Sequence, residues 1–207
     1  MIFNDQLARG IAALGLDLPP AAPERLLAFA ALLTKWNRVY NLTALREQSQ
    51  VVTHHLLDSL AALPYLNARS IADIGTGGGL PGIPLAIARP DLRVALVETS
   101  HKKASFLQQA KIELALGNTM IINERVEQWQ PEEAFDAVIS RAFSDIADFL
   151  RLTQHVVGSG GRWYAMKGVS PHDEIAQLPA DFRVARHIAL DVPELGAARH
   201  LIVIERS

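Results

Sequence analysis

The sequence predicts an α/β protein: a doubly wound, Rossmann-like sheet, mostly parallel, closed by a C-terminal antiparallel hairpin and preceded by an N-terminal helical extension. Three observations predict it. From Ser70 onward, short apolar segments alternate with amphipathic ones, the pattern of strands covered by helices. The first of them, Ser70-Ile71-Ala72-Asp73-Ile74, runs into Gly75-Thr76-Gly77-Gly78-Gly79-Leu80-Pro81-Gly82 and then a helical stretch. Before Ser70 the apolar residues recur at helical spacing. The division is therefore 1–69, a helical extension packed on the core, and 70–207, the sheet domain.

The elements follow in order. Leu26, Phe29, Leu33, Trp36 and Tyr40 are spaced three, four, three and four, one apolar stripe on a helix. Pro23 stands near its start, where proline is tolerated. Asn41-Leu42-Thr43 marks its exit. A second helix covers 48–63, with Val52, Leu56, Leu60 and Leu63 on one face and Pro64 ending it. Strands are expected at 70–74, 92–97, 119–123, 134–140 and 161–167, with helices at 83–88, 102–116 and 145–156. Segments 182–190 and 200–205 flank a turn at Pro193-Glu194-Leu195-Gly196 and predict an antiparallel hairpin. A parallel sheet ending in such a pair suits the class I methyltransferase variant of the doubly wound fold.

Composition narrows the chemistry. The 207 residues are 49% apolar, enough for one sizeable core. No apolar run approaches the ~20 residues of a membrane helix. Met1 to Gln6 shows no basic region followed by an apolar one, so no secretory signal and a cytoplasmic location are expected. There is no cysteine, which excludes disulfides, thiolate metal sites and a cysteine nucleophile. The net charge is −2, so a nucleic-acid enzyme of this composition must gather its basic residues on one face or recognise a preassembled particle. A monomer using no metal and no membrane is expected.

The glycine turn is the centre of the chemistry. A strand ending in such a turn, followed by a helix, lets backbone approach a nucleotide-like cofactor. Gly77 to Gly82 satisfies the dinucleotide pattern G-x-G-x-x-G, a weak match in a glycine-rich loop. Asp73 weighs against a dinucleotide, because its carboxylate would lie near the pyrophosphate. S-adenosylmethionine has no phosphate and carries a sulfonium and an ammonium, so the methyl donor is favoured. Asp73 also suits a cap on the following turn. Glu98 ends the second strand about 20 residues after the turn, placed to accept from ribose hydroxyls or to cap the helix near Ser100.

Ligands of open α/β sheets bind at the carboxyl ends of the strands. Arg125-Val126-Glu127, Ser140-Arg141-Ala142-Phe143 and Met166-Lys167-Gly168 fall there. Arg141 suits a bidentate grip on a cofactor carboxylate or a substrate phosphate, or an ion pair with Glu127 or Asp145. Glu127 could accept from an adenine amino group. Lys167 is either a substrate contact or a solvated strand-end lysine. Trp129 and Phe143 could stack on a base or belong to the core. His54, His55 and Asp58 lack further ligands at metal spacing, although their helix could face the substrate. Two tools of nucleic-acid methylation are missing: the cysteine that attacks a pyrimidine, and the polar-proline-proline-aromatic turn used on exocyclic amines. Guanine N7 needs neither, since its lone pair is free and orientation supplies much of the catalysis.

The ordered set Tyr40-Asn41-Leu42-Thr43, His55-Leu56-Leu57-Asp58-Ser59, Asp73 to Pro84, Lys102-Lys103-Ala104-Ser105-Phe106-Leu107, Arg125-Val126-Glu127, Ser140-Arg141-Ala142 and Met166-Lys167-Gly168 spans essentially the whole chain. It resembles the bacterial 16S ribosomal RNA guanine-N7 methyltransferases, the small-subunit methyltransferase G or glucose-inhibited division protein B family. The resemblance implies methyl transfer from S-adenosylmethionine to N7 of one guanine of 16S rRNA, near the decoding centre of the small subunit. It places Gly75, Leu80, Val126, Glu127 and Arg141 on the cofactor and makes Glu98 its ribose acid, where many members have aspartate. Thr76 and Gly78 replace the family's frequent serine or proline and should preserve the turn. With Asp73, Gly77 and Gly79 these are the expected cofactor residues; Arg141 would orient rather than act as a general base. His55, Arg125 and Lys167 are the candidate RNA contacts. A nicotinamide-dependent oxidoreductase and a non-catalytic RNA-binding assembly protein are the alternatives.

Overall fold

The computed structural model describes residues 2–141, 143 and 145–207. Its seven strands form one sheet in the order β3-β2-β1-β4-β5-β7-β6. They are β1 (Ser70–Ile74), β2 (Arg93–Val97), β3 (Thr119–Ile122), β4 (Phe135–Ser140), β5 (Val157–Lys167), β6 (Phe182–Ala189) and β7 (His200–Arg206). Strands β1 to β5 are parallel; β7 is antiparallel to both β5 and β6. The expected hairpin is present, and the returning strand inserts inside it. The reason is burial: Leu201 to Ile204 are buried without a break, as a central strand requires, whereas β6 is half exposed and takes the edge. Order reverses beside β1, where β1 lies between β2 and β4, so a crevice opens above the carboxyl ends of these strands.

Helices α5 (Gly82–Ala88), α6 (His101–Glu113), α7 (Ile146–Thr153) and α8 (His172–Ala176) lie in the sheet domain. The strand boundaries agree with the sequence within a residue except in β5, expected at 161–167. That strand starts earlier, at Val157, which pairs with Phe135 before the register shifts. Gly158-Ser159-Gly160-Gly161 occupies the irregular stretch and carries no apolar signal. The last helix before it is shorter than 145–156, and α8 was not expected.

The N-terminal part holds α1 (Ile2–Ala13), α2 (Ala22–Tyr40), α3 (Gln48–Val51) and α4 (Asp58–Leu60), with a π-helical turn at Val52–Leu57 joining the last two. The helix expected over 48–63 is thus widened in its middle and ends at Leu60, before a 3-10 turn at Leu63–Tyr65. Leu26, Phe29, Leu33, Leu56 and Leu60 are buried in one continuous core with Ile71, Leu85 and Phe106 of the sheet domain. The opposite face of the sheet buries Val138, Phe149, Trp163 and Ile204. The stripe on α2 therefore docks the helices against the sheet and brings the 41–45 loop and Asp58 to the rim of the crevice.

Candidate cofactor and substrate crevice

The glycine turn is held from below by β1 and from the side by β2. The N–H groups of Gly75 and Thr76 donate to Val97 O at 2.9 and 3.2 Å. Oδ2 of Asp73 accepts from the Thr76 hydroxyl at 2.6 Å and from Gly82 N–H at 2.7 Å, tying the start of the turn to the first residue of α5. Asp73 is fully buried, and its other oxygen has no hydrogen-bond partner among the described residues. Burial pushes its carboxyl up to about 7, against the bonds from Thr76 and Gly82. Expected to face the cofactor, Asp73 instead lies beneath the turn and sets its shape, the capping role that its position also suits.

Glu98 does two jobs in the backbone. Its Oε2 accepts from Gly77 N–H at 2.9 Å and its Oε1 from Ser100 N–H at 2.9 Å. Lone pairs remain on both oxygens for ribose hydroxyls. The glycines divide by cause. Gly77 has φ 59° and open space before it: a Cβ there would meet nothing nearer than Gly75 O at 3.9 Å. Gly79, expected on the cofactor, is fixed by packing, since a Cβ would lie 2.4 Å from Ile83 Cδ1.

Two hollows meet at Gly75. One, of about 170 Å³, is lined by Ile74, Val97, Val126, Phe143 and Leu152, with Arg125 and Glu127 exposed at its mouth. It has the apolar walls and polar lip that an adenine ring needs. The other, of about 200 Å³, runs over Gly77, Gly78 and Leu80, Thr43, His55 and Arg141. Arg141 also lines a third, of about 230 Å³, with Asp58, Lys167, Gly168 and Arg199.

Arg141 does form an ion pair, but with neither expected acid. Its Nη1 donates to Asp58 Oδ2 at 2.9 Å, and Arg199 Nε donates to Asp58 Oδ1 at 3.0 Å. Asp145 instead caps α7, accepting from Asp148 N–H at 2.9 Å, and Glu127 is exposed. A buried carboxylate thus holds two guanidiniums at the crevice wall, with one positive charge in surplus. Asp58 and Arg199 were not among the expected site residues. The motif around Asp58 was visible; nothing in the local sequence marks Arg199, which reaches it from the loop before β7. Ala142 lies outside the described residues.

His55, an expected RNA contact, is buried. Leu45 N–H donates to Thr43 Oγ1, whose own hydrogen points to His55 Nε2 at 2.7 Å; the ring's Nδ1–H then donates to His54 O at 3.0 Å. Burial and the Arg141 charge push this histidine down to about 4. Asn37 accepts from Thr43 N–H at 2.9 Å and donates to Leu45 O at 2.8 Å. His55 and Asn37 therefore brace the 41–45 loop as a wall of the crevice. Lys167 is also engaged, donating to Glu174 Oε2 at 2.7 Å and to Phe143 O at 3.2 Å. Trp129 belongs to the core, against Phe135 at 5.6 Å. Phe143 packs on Phe149 at 5.1 Å while still lining the adenine-sized hollow. Among the described residues, no group of three or more His, Asp or Glu side chains is placed to hold a metal ion, and no helix is long and apolar enough to cross a membrane.

The fold and the turn define a class I, S-adenosylmethionine-dependent methyltransferase. The O-methyltransferase TomG of Streptomyces achromogenes, solved with SAM, superposes with a TM-score of 0.61 at 18% identity, covering 97% of this chain and 96% of its own. The glycopeptide N-methyltransferase MtfA, solved with S-adenosylhomocysteine, gives 0.62 at 11% identity, over 72% and 86%. Residues 22–202 match the family described as rRNA small subunit methyltransferase G. The proteins named ribosomal RNA small subunit methyltransferase G of Aromatoleum aromaticum and Azoarcus sp. are 62% and 63% identical to it, over 97% and 99% of this chain and 98% and 97% of theirs. The chain belongs to this family, the 16S ribosomal RNA (guanine-N7) methyltransferases. Neither the nicotinamide-dependent nor the non-catalytic alternative finds support among these relatives.

Proposed function

We propose how this chain's residues divide the work of transferring a methyl group from S-adenosylmethionine to N7 of a guanine in 16S rRNA. The cofactor fits the crevice: Gly77 leaves open space where any side chain would intrude, and Glu98, buried against Gly77, keeps lone pairs to spare. The bound cofactor supplies a methyl group activated on a sulfonium. The backbone of Gly75, Gly77 and Leu80 lines its amino-acid half, Glu98 accepts from its ribose, and Val126 and Glu127 enclose its adenine. Gly79 and Asp73 act one step removed, by shaping the turn. Arg141 stands between the cofactor hollow and the third hollow, so its guanidinium orients the two reactants. Arg125 and Lys167 flank that approach and contact RNA; His55 acts through the wall it braces. N7 carries no proton, so no general base is required.

The observation that carries this division is the meeting of two hollows at a glycine turn clamped by Asp73 and Glu98. The enzyme works in the cytoplasm as a monomer, without metal or membrane, on an assembled or partly assembled small subunit rather than on free RNA. Calorimetry should show heat of binding with S-adenosylmethionine and none with nicotinamide cofactors. Tritiated methyl groups should enter small subunits from cells lacking this protein, and enter free 16S rRNA more slowly. Faster methylation of free RNA would refute the assembled-substrate part.

A further inference from the structure

We infer that His172, His187 and His200, at the outer lip of the crevice, form a contact for a backbone phosphate of the substrate RNA and take up protons as it seats. This rests on the RNA-methylating function above. Three elements converge to make the cluster. His187 Nε2 of β6 lies 3.2 Å from His200 Nδ1 of β7, and their rings are 5.2 Å apart. The His172 ring of α8 stands 6.1 Å from that of His187. Ser170 Oγ joins them, 3.0 Å from His172 Nε2 and 3.5 Å from His187 Nε2. His172 and His187 are exposed and His200 is half-buried.

The location points to the substrate. His200 is the register partner of Lys167 at the carboxyl end of β5, and it follows Arg199, which reaches Asp58 in the crevice. The cluster is thus on the side of the molecule where the target guanine must arrive. The charge balance points to an anion. Lys167 is matched by Glu174 of α8, whereas Asp58 is shared by Arg199 and Arg141, so one positive charge beside the cluster is left over. Arg186 of β6 lies over the Tyr65 ring at 5.2 Å. Asp173 adjoins His172 along α8 and is exposed. What acts on His200 is burial and its two fellow imidazoles, and all three disfavour its charged form. Two imidazoles in hydrogen-bond contact need one unprotonated nitrogen between them, so the free cluster resists full protonation. A phosphate supplies the missing countercharge. A metal ion is the rival occupant, and the side chains are not placed to hold one.

The test uses the full chain, unmethylated small subunits, and the variant H172Q/H187Q/H200Q, in which glutamines keep hydrogen bonding but do not titrate. Binding is measured from pH 8 to pH 6 at constant ionic strength. A one-unit rise in the pKa of one imidazole on binding gives a gain of at most about tenfold over this range. That extra gain is expected in the wild type and lost in the variant. Parallel pH dependences would overturn the inference. H187Q alone, at an exposed position, serves if the triple variant misfolds, and retained S-adenosylmethionine binding reports the fold. In an NMR titration, an RNA strand of the small subunit should move the three imidazole resonances and inorganic phosphate should not; equal effects would make this a free-anion site and overturn the RNA contact. If wild-type protein methylated no small subunit at all, the functional assignment itself would fail, which is a separate outcome.

Discussion

Gly77 and Gly79 stand two residues apart in one turn and should fail for different reasons. At Gly79, φ is 85° and a Cβ would lie 2.4 Å from Ile83 Cδ1 and 3.1 Å from Leu107 Cδ2. Gly79→Ala should therefore cost about 1–3 kcal/mol of stability through overpacking, measured by urea unfolding. Gly77→Val meets open space, so its steric effect is on the ligand. The left-handed backbone costs it about 1–2 kcal/mol, but the folded variant should give no heat with S-adenosylmethionine. Normal binding by folded Gly77→Val would remove this turn from the cofactor site. Asp58 is a different case, a buried carboxylate shared by Arg141 and Arg199. Asp58→Ala leaves two partly buried guanidiniums without their anion and should cost about 3 kcal/mol, with methyl transfer impaired beyond what the lost stability explains. Arg141→Lys keeps the charge and loses the planar fork, so it should also slow transfer. At this scale the sequence was uneven. The glycine turn, Glu98 and Arg141 were legible because local spacing encodes a strand end. The Asp58–Arg199 pair was not, because it joins residues 141 positions apart.

Elements were more legible than their irregularities. The stripe on α2 and the apolar cores of β1, β2 and β4 have unmistakable periods, and their positions agree with the structure closely. The π-helical turn at Val52–Leu57 was invisible, because Val52, Leu56 and Leu60 keep an apolar face whether or not the turn is widened. The insertion of β7 was missed for a related reason: strand order depends on which edge is buried, and a local pattern does not rank edges. Two of these elements should respond to pH in opposite directions. In the π-helical turn, His55 is held neutral, with its pKa lowered from 6.5 to about 4. Its contribution to stability is complete above pH 6.5 and is lost as pH falls toward 4, where the unfolded chain binds the proton first. Under the glycine turn, Asp73 is raised from 3.8 to about 7, so its contribution is complete below 3.8 and is lost as pH rises toward 7. Urea midpoints measured across this range should show His55→Gln removing the acid-side loss and Asp73→Asn removing the loss toward neutral pH. Unchanged slopes would show that neither group titrates differently in the folded chain.

For the whole molecule, the order of the sheet explains why so short a chain can combine cofactor and macromolecular substrate. The carboxyl ends of β1, β2 and β4 carry the turn, Glu98 and Arg141. The extension folds back against the sheet and delivers Thr43, His55 and Asp58 to the same rim. With a net charge of −2, the chain has no general attraction for RNA. Four of its 20 lysines and arginines, Arg125, Arg141, Lys167 and Arg199, stand at this edge, and three of them line a hollow that also contains a buried acid. Among the described residues lining the hollows beside Arg141, the two candidate bases are both engaged: His55 is buried and doubly hydrogen-bonded, and Asp58 is taken up by two arginines. The product should accordingly be 7-methylguanine, formed by direct transfer to a lone pair without a covalent enzyme intermediate. Transfer moves positive charge from sulfur to the base, with no proton to abstract. Under single-turnover conditions with saturating cofactor and subunit, the rate should therefore lack the acid limb of an essential base. His55→Gln should alter that rate without creating or abolishing such a limb. Nucleosides from RNA methylated in vitro, analysed by mass spectrometry alongside cleavage chemistry selective for 7-methylguanine, decide the matter. A methyl group on a pyrimidine carbon, an exocyclic amine or a ribose would refute base-free transfer to N7, even with cofactor binding intact.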